Sequence, residues 1–305
     1  MKRRDFIQKT SAGTALITLG NLSLSSFATA SEIKKITILH TNDVHSHIDP
    51  FGPEDGRNAN KGGVARRASL IESIRKENPN TLLLDAGDIF QGTPYFNYYG
   101  GELEFKLMSM LKYDVATIGN HDFDNGIDGL FAQLPHAKFD FISANYNFSN
   151  TVMDTHVKPY KIFIKEGIKI GVFGLGIELE GLVDKSNYKE TKYLNPIEIS
   201  QEMTRILKTE EKCDLIICLS HLGYNYKNET DKISDLKLAE ATKNIDLIIG
   251  GHTHTFLKKP TIVKNKEGNN MLVNQVGCYG INLGKIDFYF DSKKNVAANG
   301  TSIIV

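Results

Sequence analysis

Short apolar runs alternate with longer amphipathic stretches from about Ile33 to the end of the chain, with no internal repeat and no low-complexity linker. That alternation predicts a single α/β domain. Runs bounded by polar turn formers predict buried strands at Ile36–Leu39, Thr81–Leu84, Val115–Ile118, Phe139–Ser143, Ile168–Leu175, Asp214–Leu219 and Ile245–Ile249. Between them, Ala65, Ala68, Ile71 and Ile74 recur at near-helical spacing within Val64–Lys76, and Leu103, Leu107, Met110 and Leu111 mark a second helix. Asn195-Pro196 opens another helix with a capping side chain and a proline in the first turn. Residues 49–63, rich in Gly, Pro, Asn and charge, read as a loop. In the tail, Met271–Val276 and Ile281–Phe290 flank Gly277-Cys278-Tyr279-Gly280 and predict an antiparallel hairpin, so the sheet is expected to be mixed.

Charge narrows the partners. The chain carries 36 basic and 36 acidic side chains, which gives no electrostatic case for nucleic acid or an anionic membrane surface. The first thirty residues stand apart: Lys2-Arg3-Arg4 precedes a weakly apolar stretch, Ser11–Phe27, that ends in Ala28-Thr29-Ala30. This has the form of an export signal with a small-residue cleavage site, and the paired arginines and modest hydrophobicity resemble the twin-arginine type. The stretch is too short and too polar to span a bilayer. The expected division is therefore residues 1–30 as signal and residues 31–305 as one catalytic domain, with a periplasmic or otherwise exported location. Losing Lys2, Arg3, Arg4 and Lys9 with Asp5 leaves 32 basic and 35 acidic residues. The three cysteines, Cys213, Cys218 and Cys278, are an odd and sparse set that gives no disulfide framework, and Cys213 and Cys218, too far apart for a thiolate metal site, read as core residues.

The chemistry gathers where the predicted strands end. Thr41-Asn42-Asp43-Val44-His45, Asp85-Ala86-Gly87-Asp88, Gly119-Asn120-His121-Asp122-Phe123-Asp124, Ser220-His221 and Gly250-Gly251-His252-Thr253-His254 each follow an apolar run. Open α/β sheets place ligand sites at the carboxyl ends of their strands. Gly119 is expected to let the backbone turn there. Asp43 and His45, like His252 and His254, are two residues apart, which puts both side chains on one side of an extended backbone. Six of the nine histidines lie in these motifs or directly beside them. Imidazoles and carboxylates converging in this way suit divalent Zn, Mn, Fe and similar ions.

The same series of motifs resembles the calcineurin-like dimetal phosphoesterases, and within them the 5′-nucleotidase and UDP-sugar hydrolase family. The resemblance covers nearly all of residues 31–305. It implies a four-layer sandwich of two mixed β-sheets flanked by helices, and two divalent metal ions. By position, Asp43, His45 and His254 would hold one ion, Asn120, His221 and His252 the other, and Asp88 would bridge both. His121 and Asp124 match the family's catalytic dyad. His40, His47, Asp85 and Asp122 lie among the motifs without matching a ligand and read as supporting groups.

The implied reaction is hydrolysis of a small-molecule phosphate ester, 5′-nucleotides or related compounds foremost, by water activated between the metals. Two other classes compete: a sulfur-ester hydrolase of the thiosulfohydrolase type, and a non-catalytic metal- or nucleotide-binding module. The family's full-length members add a C-terminal domain with an aromatic pair that stacks the base. That domain is expected here, if at all, on a separately encoded partner. Tyr95, Tyr98 and Tyr99, in a loop after Asp88, are the aromatic alternative for contact with the base, and poor discrimination among esters is the corresponding expectation.

Overall fold

The computed structural model describes residues 17–19 and 33–305. In chain order its strands are β1 (Ile17–Thr18), β2 (Lys34–Thr41), β3 (Thr81–Asp85), β4 (Val115–Ala116), β5 (Asp140–Phe141), β6 (Tyr146–Asn147), β7 (Tyr160–Lys165), β8 (Ile168–Leu175), β9 (Lys192–Tyr193), β10 (Leu215–Ser220), β11 (Leu247–Gly250), β12 (Thr261–Lys264), β13 (Asn270–Asn274), β14 (Asn282–Phe290) and β15 (Val296–Ile304). They form one sheet in the order β1-β15-β14-β2-β3-β4-β5 and another in the order β12-β13-β11-β10-β8-β7, with β6 and β9 as a separate short pair. Both large sheets are mixed: β2, β3, β4 and β5 run parallel, as do β8, β10, β11 and β13, and the antiparallel strands lie toward the edges.

The period-two alternation of side chains divides the core into layers. On β10, Leu215, Ile217 and Leu219 join Ile36, Ile38, Leu82 and Leu84 between the sheets, while Ile216 and Cys218 face Met203, Leu207 and Leu238 on the outside. Leu39 and Leu83 point the other way, onto Ile71, Ile74 and Phe105 of the helices over the first sheet. Both faces of the central strands are thus covered, which is why they read as unbroken apolar runs. The result is helices, sheet, sheet, helices, as expected. Truncating a fully buried residue of the inner layer, such as Ile217→Ala, costs about 2–5 kcal/mol.

Helices form where the sequence signals them. Val64–Glu77 packs Ile71 and Ile74 inward. Pro196–Arg205 is capped by Asn195, whose Oδ1 accepts from the Ile197 and Glu198 amides. Cys213 and Cys218 are both buried, as expected of core residues.

The tail departs from expectation. Met271–Val276 and Ile281–Phe290 do not pair with each other: β13 lies between β11 and β12 in the second sheet, and β14 lies between β2 and β15 in the first. The intervening Gly277–Gly280 segment crosses between the sheets, with Gly277 and Gly280 at φ +81° and +62°. Its backbone is held by other loops, with the Gly277 amide donating to the Thr255 carbonyl at 3.0 Å. Asn42 Nδ2 donates to the Gly277 carbonyl at 2.6 Å, and the Tyr279 amide donates to the Asp43 carbonyl at 2.7 Å. Local patterning identifies both strands but holds no information on which sheet each joins.

The expected leader, residues 1–30, lies outside the described residues except for Ile17–Leu19. There Ile17 and Thr18 pair with Ala298 and Ala297, and Leu19 is buried. Among the described residues no helix is long and apolar enough to cross a membrane.

Candidate metal centre

The parallel strands of both sheets deliver their carboxyl ends to one place. The loop after β2 carries Asp43 and His45, the loop after β3 carries Asp88, and the polar turn after β4 carries Asn120, His121, Asp122 and Asp124. From the other sheet, the loops after β10 and β11 bring His221, His252 and His254. Asp43, His45, Asp88, His252 and His254 all hold left-handed backbone, with φ between +49° and +69°. Non-glycine residues enter that region at a cost, and such strain concentrates at functional sites.

Two groups of ligand-type side chains result. In Asp43, His45 and His254, and again in Asp88, His221 and His252, one donor atom from each residue lies within 4.8 Å of the others. His45 Nε2 is 3.0 Å from His254 Nε2, and His254 Nε2 is 3.4 Å from Asp43 Oδ1. Asp88 Oδ2 lies 3.0 Å from His221 Nε2 and 3.8 Å from His45 Nε2, so it faces both groups. Asn120 Oδ1 joins the second group, 2.8 Å from His252 Nδ1.

These residues fit divalent cations on their own geometry. His45 Nδ1 donates to the Phe90 carbonyl at 3.1 Å and His221 Nδ1 to the Ala86 carbonyl at 2.7 Å. A carbonyl only accepts, so each Nδ1 carries the proton and each Nε2 is left to point its lone pair into the cluster. The buried His221 Nε2 faces Asp88 Oδ2 at 3.0 Å without the alignment of a hydrogen bond. Without a bound cation, burial opposes charge on His221, yet the contact with Asp88 and the Asp43 carboxylate raise its pKa to about 10, so a proton stands where a cation would. The pair of buried carboxylates therefore draws positive charge to this point.

Supporting contacts fix the donors. The Asp122 carboxylate accepts from the amides of Asp88, Ile89, Phe90 and Gly119, which pins the Asp88 loop against the turn after β4. Burial, with Asp88 nearby, pushes Asp122 above the usual carboxylate range. Gly119 does not have the positive φ that a turning role would require. Its place is explained by close approach, because a methyl group there would collide with the Asp88 carboxylate and the His221 ring. Asp85 accepts from Thr41 Oγ1 at 2.5 Å and from the Gly87 amide at 2.9 Å, and burial drives the pKa of His40 down to about 3, so that ring is neutral.

His121 and Asp124 stand at the edge of the cluster. His121 Nδ1 is 2.9 Å from Asp124 Oδ2, and the His121 ring centroid lies 5.3 Å from that of His45. The Asp124 hydrogen bond raises the His121 pKa against the opposing effect of burial. The His121 amide donates to Asp88 Oδ1 at 2.8 Å, which ties the dyad to the carboxylate that faces both groups.

All nine residues singled out from sequence thus meet at one place. The three tyrosines do not form a wall there: Tyr95 Oη donates to Asp49 at 2.6 Å, and Tyr98 is 87% exposed on a short helix. Two contributors escape the sequence reading. Asn42 holds Asp43 Oδ2 at 2.6 Å while accepting from the Val276 amide at 3.0 Å, and Tyr279 lies against His45 and His254. The signal for Asn42 is its place inside the first motif; that for Tyr279 is hidden by the hairpin expectation.

The family model of calcineurin-like phosphoesterases matches residues 36–256. The chain belongs to the calcineurin-like phosphoesterases. That family is dimetal-dependent, and two groups of ligand-type side chains are present here. The chain is 34% identical over 301 residues to a snake venom 5′-nucleotidase of Naja atra, across 89% of this chain and 53% of that protein. The crystal structure of a 5′-nucleotidase precursor from Thermus thermophilus superposes with a TM-score of 0.80 at 34% identity, covering 89% of this chain and 55% of that one. The chain spans about half the length of each. The sulfate thiohydrolase SoxB, also from Thermus thermophilus, shares the fold with a TM-score of 0.72 at 18% identity over 88% of this chain and 56% of that one.

Proposed function

We propose that this phosphoesterase hydrolyses phosphate monoesters, 5′-nucleotides foremost, at a two-metal centre. Asp43, His45 and His254 would hold one divalent ion and Asn120, His221 and His252 the other, with Asp88 facing both groups. When bound, two such ions would supply a water of lowered pKa and offset the negative charge of the phosphoryl oxygens. His121 works beside them: Asp124 engages Nδ1, leaving Nε2 to stabilise the phosphoryl group or to give a proton to the leaving oxygen. The observation that carries the reading is the pair of carboxylate–imidazole groups facing one Asp88, with a hydrogen-bonded His–Asp pair alongside. The dyad also argues against a purely binding role. The sulfur-ester alternative has only a shared fold in its favour.

Residues 1–30 are proposed as a cleaved twin-arginine signal, which carries a folded, metal-loaded protein across the membrane. Hydrolysis of AMP, a UDP-sugar, p-nitrophenyl phosphate and a sulfur-conjugated carrier by the metal-reconstituted protein tests the activity. Turnover of AMP that is lost on chelation is expected, and turnover only of the sulfur-conjugated substrate would replace the proposal.

A further inference from the structure

The crossing segment between the sheets sets an aromatic side chain beside the metal centre. Tyr279 has its ring centroid 5.9 Å from that of His254 and 6.0 Å from that of His45. Behind it, His47 lies at 4.3 Å and Phe51 at 5.9 Å, and His47 and Phe51 stack on each other at 4.9 Å. The Tyr279 backbone is left-handed, with φ +61°, and its amide donates to the carbonyl of Asp43. A left-handed backbone at a tyrosine that is also partly open to solvent costs energy, and such strain gathers at functional sites.

We infer that Tyr279, backed by His47 and Phe51, is a specificity-determining wall that stacks the flat aromatic part of a phosphate ester whose phosphoryl group lies at the metal centre. The inference rests on the phosphomonoesterase reading above and adds to it a preference for aromatic over aliphatic alcohols. A ring is suited to this because stacking is tolerant of which base is bound and is worth roughly tenfold or more in binding per base.

The test compares AMP with ribose 5-phosphate, which share the reacting group and differ in the base. Metal-reconstituted wild type, Tyr279→Phe and Tyr279→Asn are assayed, asparagine being chosen because it tolerates the left-handed backbone. Adenosine binding is measured separately by equilibrium dialysis. The expected result is that the ratio of kcat/KM for AMP over ribose 5-phosphate falls about tenfold in Tyr279→Asn, through KM, and is kept in Tyr279→Phe. Adenosine binding should weaken by a similar factor only in Tyr279→Asn. An unchanged ratio and unchanged adenosine binding in Tyr279→Asn would overturn the wall. Wild type that hydrolyses neither ester would overturn the phosphomonoesterase reading instead, and the adenosine measurement would still judge Tyr279.

Discussion

At the candidate metal centre the Asp88–His221 pair forms a closed half and the Asp43–His254 pair an open one. Asp88 and His221 are sealed from solvent, and His221 follows directly from β10, a strand covered on both faces. Asp43 is equally buried, but His254 keeps about a third of its side chain exposed and meets Tyr279. The closed pair can hold charge with little competition from water, while solvent reaches the open pair at His254.

The largest effect should come from breaking what the halves share. Asp88→Asn removes the carboxylate that faces both groups, and kcat/KM is expected to fall by about a thousandfold or more in steady-state assays of the reconstituted protein. Next comes the closed half. In metal-free protein, His221→Ala leaves buried Asp88 without its imidazole and should cost about 3 kcal/mol in urea denaturation.

The dyad lies outside both groups, so His121→Ala should lower kcat by about a hundredfold while elemental analysis still finds the wild-type metal content. Asp124→Asn should give a milder loss of about tenfold, because the imidazole remains but loses its charged partner. The smallest effect belongs to the open half. His254→Ala removes a partly exposed imidazole from buried Asp43, which keeps its bonds from Asn42 Nδ2 and the His252 amide, and should cost about 1 kcal/mol in the same metal-free denaturation. Equal costs for His221→Ala and His254→Ala would erase the distinction between a closed and an open half.

The same division explains what is legible in the sequence. Strands such as Ile168–Leu175 can be read to the residue because burial on both faces makes a continuous apolar run. The candidate ligands are legible because each sits in a short motif directly after such a run. The partner of Ile281–Phe290 is not legible, since two adjacent apolar strands look alike whether they pair or part. That ambiguity conceals Tyr279, whose place depends on the segment crossing from one sheet to the other. Gly119 stands out in its motif, yet its reason is tertiary: the position needs room for Asp88 and His221, which come from distant parts of the chain, and not freedom to turn.

Asp88 is proposed to serve two ions with one carboxylate, and elemental analysis of reconstituted protein after dialysis is the decisive measurement. Wild type should retain two divalent ions per chain and Asp88→Asn should lose occupancy at both positions, whereas equal metal content in the two proteins would contradict the shared role of Asp88.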